Sequence, residues 1–367
     1  MRIKAILKKT RLYSLFLKMH RVHEIRTFLS ERQRFFKEAR ERFDKERPAY
    51  GSYKDYKKAF WKHRVTYSEY MYSYEYWRLN ETQRDEFIST SEMQCIYRKL
   101  GDKQVREMFH DKTRFLTLFK NYIYRKWALV KDLSFDEFKS MIEANNCIAK
   151  PIDGTRGDGI FKIGKNDVYD WHQLYLKCKD DNILLEECIE ECDELASFHP
   201  SSLNTIRVVT ISNGDKCDVF GALFRMGAHG SIIDNTHAGG IYAPINVETG
   251  VIDIAAIDGH NHKYEQHPDT GKQIKGYKIP RWDDILATCK DATKTIPNIR
   301  FAGWDVCINK DDKVEIIEGN HAPDFDGGMQ APLKIGVKKR LAKTVQRNLG
   351  VNPLPYISVW VKPKETK

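Results

Sequence analysis

The stretch GWDVCINKDDKVEIIEGN, residues 303–320, decides how the rest of the chain is read. Two β-rich runs, about 303 to 308 and 313 to 318, flank a polar turn, and an antiparallel hairpin is the natural reading. With Lys310-Asp311 or Asp311-Asp312 as a two-residue loop, the period of two along a strand puts Asp305, Glu318 and the extension to Asn320 on one face. With the second loop, Asp305 lies directly opposite Glu318. The same register gives them Cys307, Val314 and Ile316 as companions on that face, so they are not set in a solvated surface. Two carboxylates and an amide oxygen converging from neighbouring strands repel one another unless a hard cation lies between them. All-oxygen ligation is what magnesium prefers, so Asp305, Glu318 and Asn320 are candidate metal ligands.

Upstream, CIAKPIDGTRGDGIFKI (147–163) reads as a strand, a loop with Gly154, Gly157 and Gly159, and a second strand. It is neither a P-loop nor a dinucleotide fingerprint, since both of those feed a helix. Glycines in such a hairpin let backbone N–H groups close over phosphates, and Arg156 adds charge to the grip. Lys150, at the end of the first strand, would point beneath the loop toward a nucleotide's α-phosphate.

Between residue 109 and the acid hairpin, short helices alternate with β-rich runs. SFDEFKSMIEANN (134–146) predicts a helix opened by a capping box, Ser134 with Glu137, whose apolar side is Phe135, Phe138, Met141 and Ile142. NILLEE, TIRVVTIS, CDVFGALFR and GGIYAPINVETGVIDIAAI follow with the β-branched content and turn punctuation of strands. Residues up to about 108 read instead as helical. EIRTFLSERQRFFKEARERF and KDYKKAFWKHRVTYSEYMYSYEYWRL carry apolar residues at helical intervals and are broken apart at Pro48 and Gly51. The aromatic residues of this region, from Tyr53 to Trp77, are read as packed core in preference to a base-stacking surface. A tail from Asn352, with Pro353, Pro355 and Pro363, is expected to be irregular.

The bulk properties fit this division. A chain of 367 residues has room for two or three lobes, and 41% hydrophobic with 31% charged residues is a globular composition. No apolar run approaches a membrane-spanning length, and the basic N-terminus has no cleavable apolar core, so a cytoplasmic protein is expected. The eight cysteines include no CxxC pair and read as reduced thiols. His260, His262 and His267 lie close together, yet no cysteine accompanies them and HPDTG looks like a turn, so zinc is not expected there. A net charge of +10 suits an anionic partner: nucleotide, nucleic acid, acidic glycan or membrane surface.

A Lys-ended strand with a glycine loop, a later LLEE strand, and an Asp followed thirteen residues on by Glu-x-Asn resemble the ATP-grasp superfamily. The last spacing is similar to that of D-alanine:D-alanine ligases. HPSSLNTIRVVTI, RMGAHGSIIDNTHAGGI, HPDTG, IPRW, GWD and IEGNHAPD more closely resemble the bacterial ATP-grasp group associated with sugar transfer, found with polysaccharide and capsule genes. That resemblance spans about residues 109 to 345.

The resemblance implies an α+β fold of two lobes gripping ATP, preceded by an N-terminal helical region. Its boundaries would be a basic, aromatic-rich region 1–108, a small lobe 109–195 with the glycine loop, a large lobe 196–345 with the metal site, and a tail 346–367. It implies that Lys112 and Lys150 grip ATP, with Gly154, Thr155, Arg156, Gly157, Asp158 and Gly159 as the phosphate lid. Glu186, Glu187, Cys188 and Ile189 would form the hinge strand that reads adenine, with Asp193 or Glu194 on the ribose. Arg207 would reach the transferring phosphate, its alternative being an ion pair across the sheet. Asn204, Arg225, Asp234, Asn235 and His237, beside Gly239 and Gly240, would line the acceptor side.

Implied with these are ATP, two Mg2+ ions or Mn2+ in their place, and an ADP-forming ligase that joins a carboxylate to an amine or hydroxyl, glycan-related acceptor. No nucleic-acid partner is expected, and the basic N-terminal region would offer contact with a membrane surface at its inner face. Two rival readings are a phosphotransferase on the same fold and a basic binding protein with a vestigial ATP site.

Overall fold

The computed structural model describes residues 30, 32–152, 159–168, 170–231, 239–324 and 329–357. They group into two compact units, one from residues up to Lys99 together with those from Lys334 onward, and the other Leu100–Leu333.

The first unit is helical around an aromatic core of Tyr56, Phe60, Tyr67, Tyr70, Tyr74, Tyr76 and Phe87. Phe36 and Phe43 pack on it edge to face, with centroids 5.0 Å from Phe60 and from Tyr67 respectively. The long helix expected over KDYKKAFWKHRVTYSEYMYSYEYWRL is interrupted. Tyr53–His63 is helical, but Arg64 takes a left-handed conformation (φ 55°) and closes it with its N–H on Phe60 O. The chain then continues through single turns at Glu69–Ser73 and Tyr76–Arg78. Helical periodicity survives in the sequence because these turns still present one aromatic face inward. Leu354–Ile357, expected to be irregular, forms a helical turn.

The second unit holds two antiparallel sheets. The smaller has the order β1-β4-β2-β3, where β1 is Trp127–Leu129, β2 Cys147–Pro151, β3 Phe161–Ile163 and β4 Ile183–Glu187. The helix Phe135–Ala144 opens with the predicted capping box: Ser134 N donates to Glu137 Oε2 (2.8 Å) and Glu137 N to Ser134 Oγ (3.3 Å). Phe138 and Ile142 bury its inner face in a core shared with Cys147, Ala149, Ile163 and Leu185.

The larger sheet runs β11-β10-β5-β6-β7-β8-β9, with β5 Thr205–Ser212, β6 Cys217–Met226, β7 Ile241–Ile245, β8 Ala256–Ile257, β9 Lys263–Tyr264, β10 Phe301–Ile308 and β11 Val314–Asn320. The run 239–257 is therefore not one continuous strand. A turn held by Gly250 N on Asn246 O (2.8 Å) separates β7 from β8. After β4 the chain passes beside the end of β10, where Cys192 N donates to Ile308 O (2.9 Å) and Lys310 N to Glu190 O (2.8 Å). The segment after the small sheet is thus hydrogen-bonded to the large one. Among the described residues no helix is long and apolar enough to cross a membrane.

The capping box supplies a local test. Ser134→Ala leaves the Glu137 amide without its acceptor and is expected to destabilise the protein by about 1 kcal/mol in urea denaturation. An unchanged midpoint would show that the cap contributes nothing.

Candidate active site

The acid hairpin reaches its predicted pairing by a route the sequence reading does not anticipate. Neither two-residue loop forms. Ile308 pairs with Val314, and the reversal spans the five residues between them. Asn309 organises it, its Oδ1 accepting from Asp311 N (3.1 Å) and Lys313 N (3.0 Å), with Asp312 left-handed at φ 59°. That loop alone would set Asp305 against Ile317. A bulge restores the pairing: Val306 faces Ile316, but Asp305 faces Glu318 and Gly303 faces Asn320, leaving Ile317 as the extra residue of β11. One part of the expected face is corrected by the same loop. Cys307 pairs with Glu315, while Val314 and Ile316 pair with Ile308 and Val306 and join the apolar core on the opposite face.

Asp305 is held by two guanidinium groups. Arg207, directly opposite on β5, grips it with both arms of its fork, Nε to Oδ1 and Nη2 to Oδ2, each 2.6 Å. Arg225 on β6 adds Nη2 to Oδ2 at 3.0 Å, steadied by its Nε on Thr205 Oγ1 at 2.9 Å. The period of two brings Thr205 and Arg207 to one face, and pairing of Thr205 with Arg225 brings the second guanidinium to it. Arg207 thus makes the cross-sheet ion pair weighed as its alternative role. Burial by itself would raise the Asp305 carboxyl, but the two guanidinium groups hold it well below the usual carboxylate range. Glu318 differs: its side chain keeps 65% of its accessibility against 2% for Asp305. The surrounding protein and then the charge of Asp305 push the Glu318 carboxyl up.

This donor set fits a hard cation. Among the described residues no three His, Cys, Asp or Glu side chains are grouped to hold a metal. Here, however, two carboxyls paired directly across the hairpin share a face with Asn320, two residues along from Glu318. A divalent ion between them would balance the two carboxylate charges. Asn320 Oδ1 accepts from Ala322 N (2.9 Å), which fixes the amide's orientation.

On the small sheet, Lys150 and Glu186 form an ion pair of 2.8 Å, and Arg125 meets the other oxygen of Glu186 at 2.5 Å. Burial would raise Glu186, yet Lys150 and Arg125 hold its carboxyl down at about 2. Lys112, at the start of the helix Lys112–Leu118, donates to the carbonyls of Pro151 (2.6 Å) and Ile152 (3.0 Å), where the glycine loop begins. Glu187 points elsewhere, accepting from Lys126 N (2.9 Å) and Asn145 Nδ2 (3.2 Å). Cys188 N donates to Asn146 O (2.7 Å), burial pushes its thiol up, and Ile189 follows it toward the large sheet. Asp193 and Glu194 open the short helix Asp193–Ala196.

Asn204, expected on the acceptor side, lies just ahead of β5. It is fully buried, its Nδ2 bonded to Glu191 Oε2 (2.9 Å) and Leu195 O (3.0 Å), and it acts as a strut for the segment before β5. Gly239 (φ 95°) and Gly240 lead into β7. Gly154, Thr155, Arg156, Gly157 and Asp158, and likewise Asp234, Asn235 and His237, lie outside the described residues. The histidines near 260 have separate partners: His262 Nδ1 lies 2.7 Å from Asp258 Oδ2, and His267 Nε2 lies 2.7 Å from Gly227 O. Sequence reasoning passed over Thr205, Arg125 and the buried Glu315. The only local signal was a glutamate inside an otherwise apolar strand.

With this arrangement in place, the chain belongs to the family described as sugar-transfer associated ATP-grasp, whose model matches residues 82–346. No curated protein sequence matches it. Among solved structures it is similar to the ATP-grasp ligase PsnB complexed with precursor peptide PsnA2 and AMPPNP (14% identity, TM-score 0.43, 69% of this chain and 63% of that one). It is also similar to an L-amino acid ligase from Bacillus licheniformis (11% identity, TM-score 0.38, 69% and 48%). A third is D-alanyl-alanine synthetase A from Vibrio cholerae O1 biovar eltor (8% identity, TM-score 0.38, 69% and 64%). The chain spans 56% to 65% of the length of the PsnB chains it matches.

The ion pairs of Glu186 make a pH prediction. Its folded value is depressed from the ordinary 4.5 to about 2, so its contribution is present above pH 4.5 and is lost as pH falls toward 2. The shift corresponds to about 3 kcal/mol. Glu186→Gln is expected to flatten the acid limb of the stability–pH curve in that window. An identical limb in the variant would contradict the assignment.

Proposed function

We propose that the chain is an ATP- and magnesium-dependent ligase that activates a carboxylate as an acyl phosphate and passes the acyl group to an amine or hydroxyl on a sugar acid or glycan precursor. The observation that carries the reading is the pair Asp305 and Glu318, opposed across one hairpin beneath two guanidinium forks, in a chain of the ATP-grasp family.

In this reading Lys112 and Lys150 bind phosphate oxygens beside the 153–158 loop. The backbone of Glu186 to Ile189 meets the adenine edge, and Asp193 or Glu194 the ribose. Asp305, Glu318 and Asn320 hold the magnesium, which when bound draws negative charge from the phosphate oxygens. Arg207 and Arg225, both already turned toward an anion, balance the charge that spreads over the γ-phosphoryl group. A carboxylate oxygen of the substrate attacks the γ-phosphorus and ADP leaves. The acceptor nitrogen or oxygen then attacks the acyl carbon, phosphate leaves, and the acceptor gives up its proton. The residues assigned to the acceptor are Arg225, Asp234, Asn235, His237, Gly239 and Gly240. Catalysis here is positioning and electrostatics, without a side-chain nucleophile. The net charge of +10 and the basic helical region suit an acidic or lipid-linked partner at the inner membrane face.

Two measurements test this. ADP with Mg2+ is expected to raise the melting temperature of the wild-type chain, and Asp305→Asn is expected to remove the magnesium-dependent part of that rise. Incubation with ATP, sugar acids and amines should yield ADP, inorganic phosphate and a ligated product. A phosphorylated acceptor without free phosphate would instead make the chain a phosphotransferase.

A further inference from the structure

Arg125 stands where the small sheet and the acid hairpin share a side chain. It precedes β1, and its side chain is buried, with 4% of its accessibility left. Its Nε donates to Glu186 Oε2 (2.5 Å) and its Nη1 to Glu315 Oε1 (2.9 Å). Nη1 also donates to Ile316 O (3.1 Å), and Nη2 to Ile317 O (3.0 Å). The backbone N–H groups of Tyr124 and Arg125 donate to Glu315 Oε1 as well, at 3.1 and 3.0 Å.

The last two carbonyls are the informative ones. Along a regular strand successive carbonyls point to opposite sides, so one guanidinium cannot collect two in a row. At Ile316 and Ile317 it does, because the bulge turns both away from β10. β11 is the edge strand of its sheet, so no further strand stands ready to donate to this pair. Without a donor, the buried Ile316 carbonyl and the part-buried Ile317 carbonyl would lose their hydrogen bonds with little water to replace them, and the bulge would tend to relax into a regular ladder. A regular ladder carries the 308–314 register through to Asp305, sets Ile317 against it and sends Glu318 to the other face.

We propose that Arg125 is a positioning residue for the metal carboxylates: by capping the Ile316 and Ile317 carbonyls it maintains the bulge that places Glu318 opposite Asp305. The proposal rests on the reading of Asp305, Glu318 and Asn320 as a magnesium site. Because Glu186 divides its two oxygens between Lys150 and Arg125, the same guanidinium also ties the nucleotide-side lysine to the hairpin register. A lysine at this position keeps the charge but has a single point donor group, which cannot span two carboxylates and two carbonyls.

The test is a Mg2+ titration of ADP-dependent thermal stabilisation in the wild type, Arg125→Lys and Glu315→Gln, alongside ADP binding without Mg2+ and the melting temperature of each unliganded protein. Arg125→Lys is expected to raise the Mg2+ concentration at half effect by about 10-fold or more, the usual effect of losing an outer-shell partner, with a much smaller change in metal-free ADP binding. Glu315→Gln, which keeps its shape but weakens the grip on Arg125, is expected to raise the same midpoint by less. A merely structural arginine would lower the unliganded melting temperature and leave the Mg2+ midpoint where it was. That result in Arg125→Lys, or in Glu315→Gln should the lysine variant not fold, overturns the proposal. If the wild type itself gives no Mg2+-dependent response to ADP, the reading of the metal site fails and the proposal falls with it.

Discussion

One carboxylate organises the candidate site. Asp305 is taken out of water on β10, between β11 and β5, a position that would cost several kcal/mol for an unpaired charge. The guanidinium groups of Arg207 and Arg225 offset that cost from two neighbouring strands. With its low affinity for protons, Asp305 presents a permanent negative charge to whatever lies above it. Glu318, facing it from the more open side of the hairpin, cannot easily carry a second charge so close by. In the proposed reading a cation settles between the two carboxyls, and the two arginines turn to the anion brought with it. This is the electrostatic arrangement a metal-bound polyphosphate requires.

The second constraint is geometric. One carboxylate oxygen each from Glu186 and Glu315 and the two bulge carbonyls converge on a single guanidinium, that of Arg125. Replacing one member of such a buried network leaves the others uncompensated, so the network is sensitive to each of its parts. It spans from the strand bearing Lys150's partner to the strand bearing Glu318. The position of the acid hairpin is thus not a property of the hairpin alone.

How much of this could be read from the chain differs from residue to residue. The capping box at Ser134 and Glu137 was legible because its signal is local: two side chains three residues apart satisfy two backbone N–H groups. The opposition of Asp305 and Glu318 was legible from spacing, but its cause was not. A five-residue turn built by Asn309 breaks the assumed register, and one extra residue at Ile317 repairs it, so two departures cancel. Their trace remains in Val314 and Ile316, which fall on the core face instead of beside the carboxylates. Arg125 left no sequence trace, since its partner Glu315 lies 190 residues away and only the tertiary fold joins them. The expected helix through Arg64 shows the converse limit: periodicity reports which side chains face inward, and does not report where a left-handed residue ends the helix.

In the proposed reading Asp305 and Glu318 hold a divalent ion together with a nucleotide. The most direct measurement is an anomalous difference map from crystals of the chain grown with Mn2+ and ADP. The account predicts a peak between the two carboxylates, within reach of the Asn320 amide and the nucleotide's phosphates. Bound ADP with no peak there, and Asp305 still clamped by Arg207 and Arg225, would contradict it.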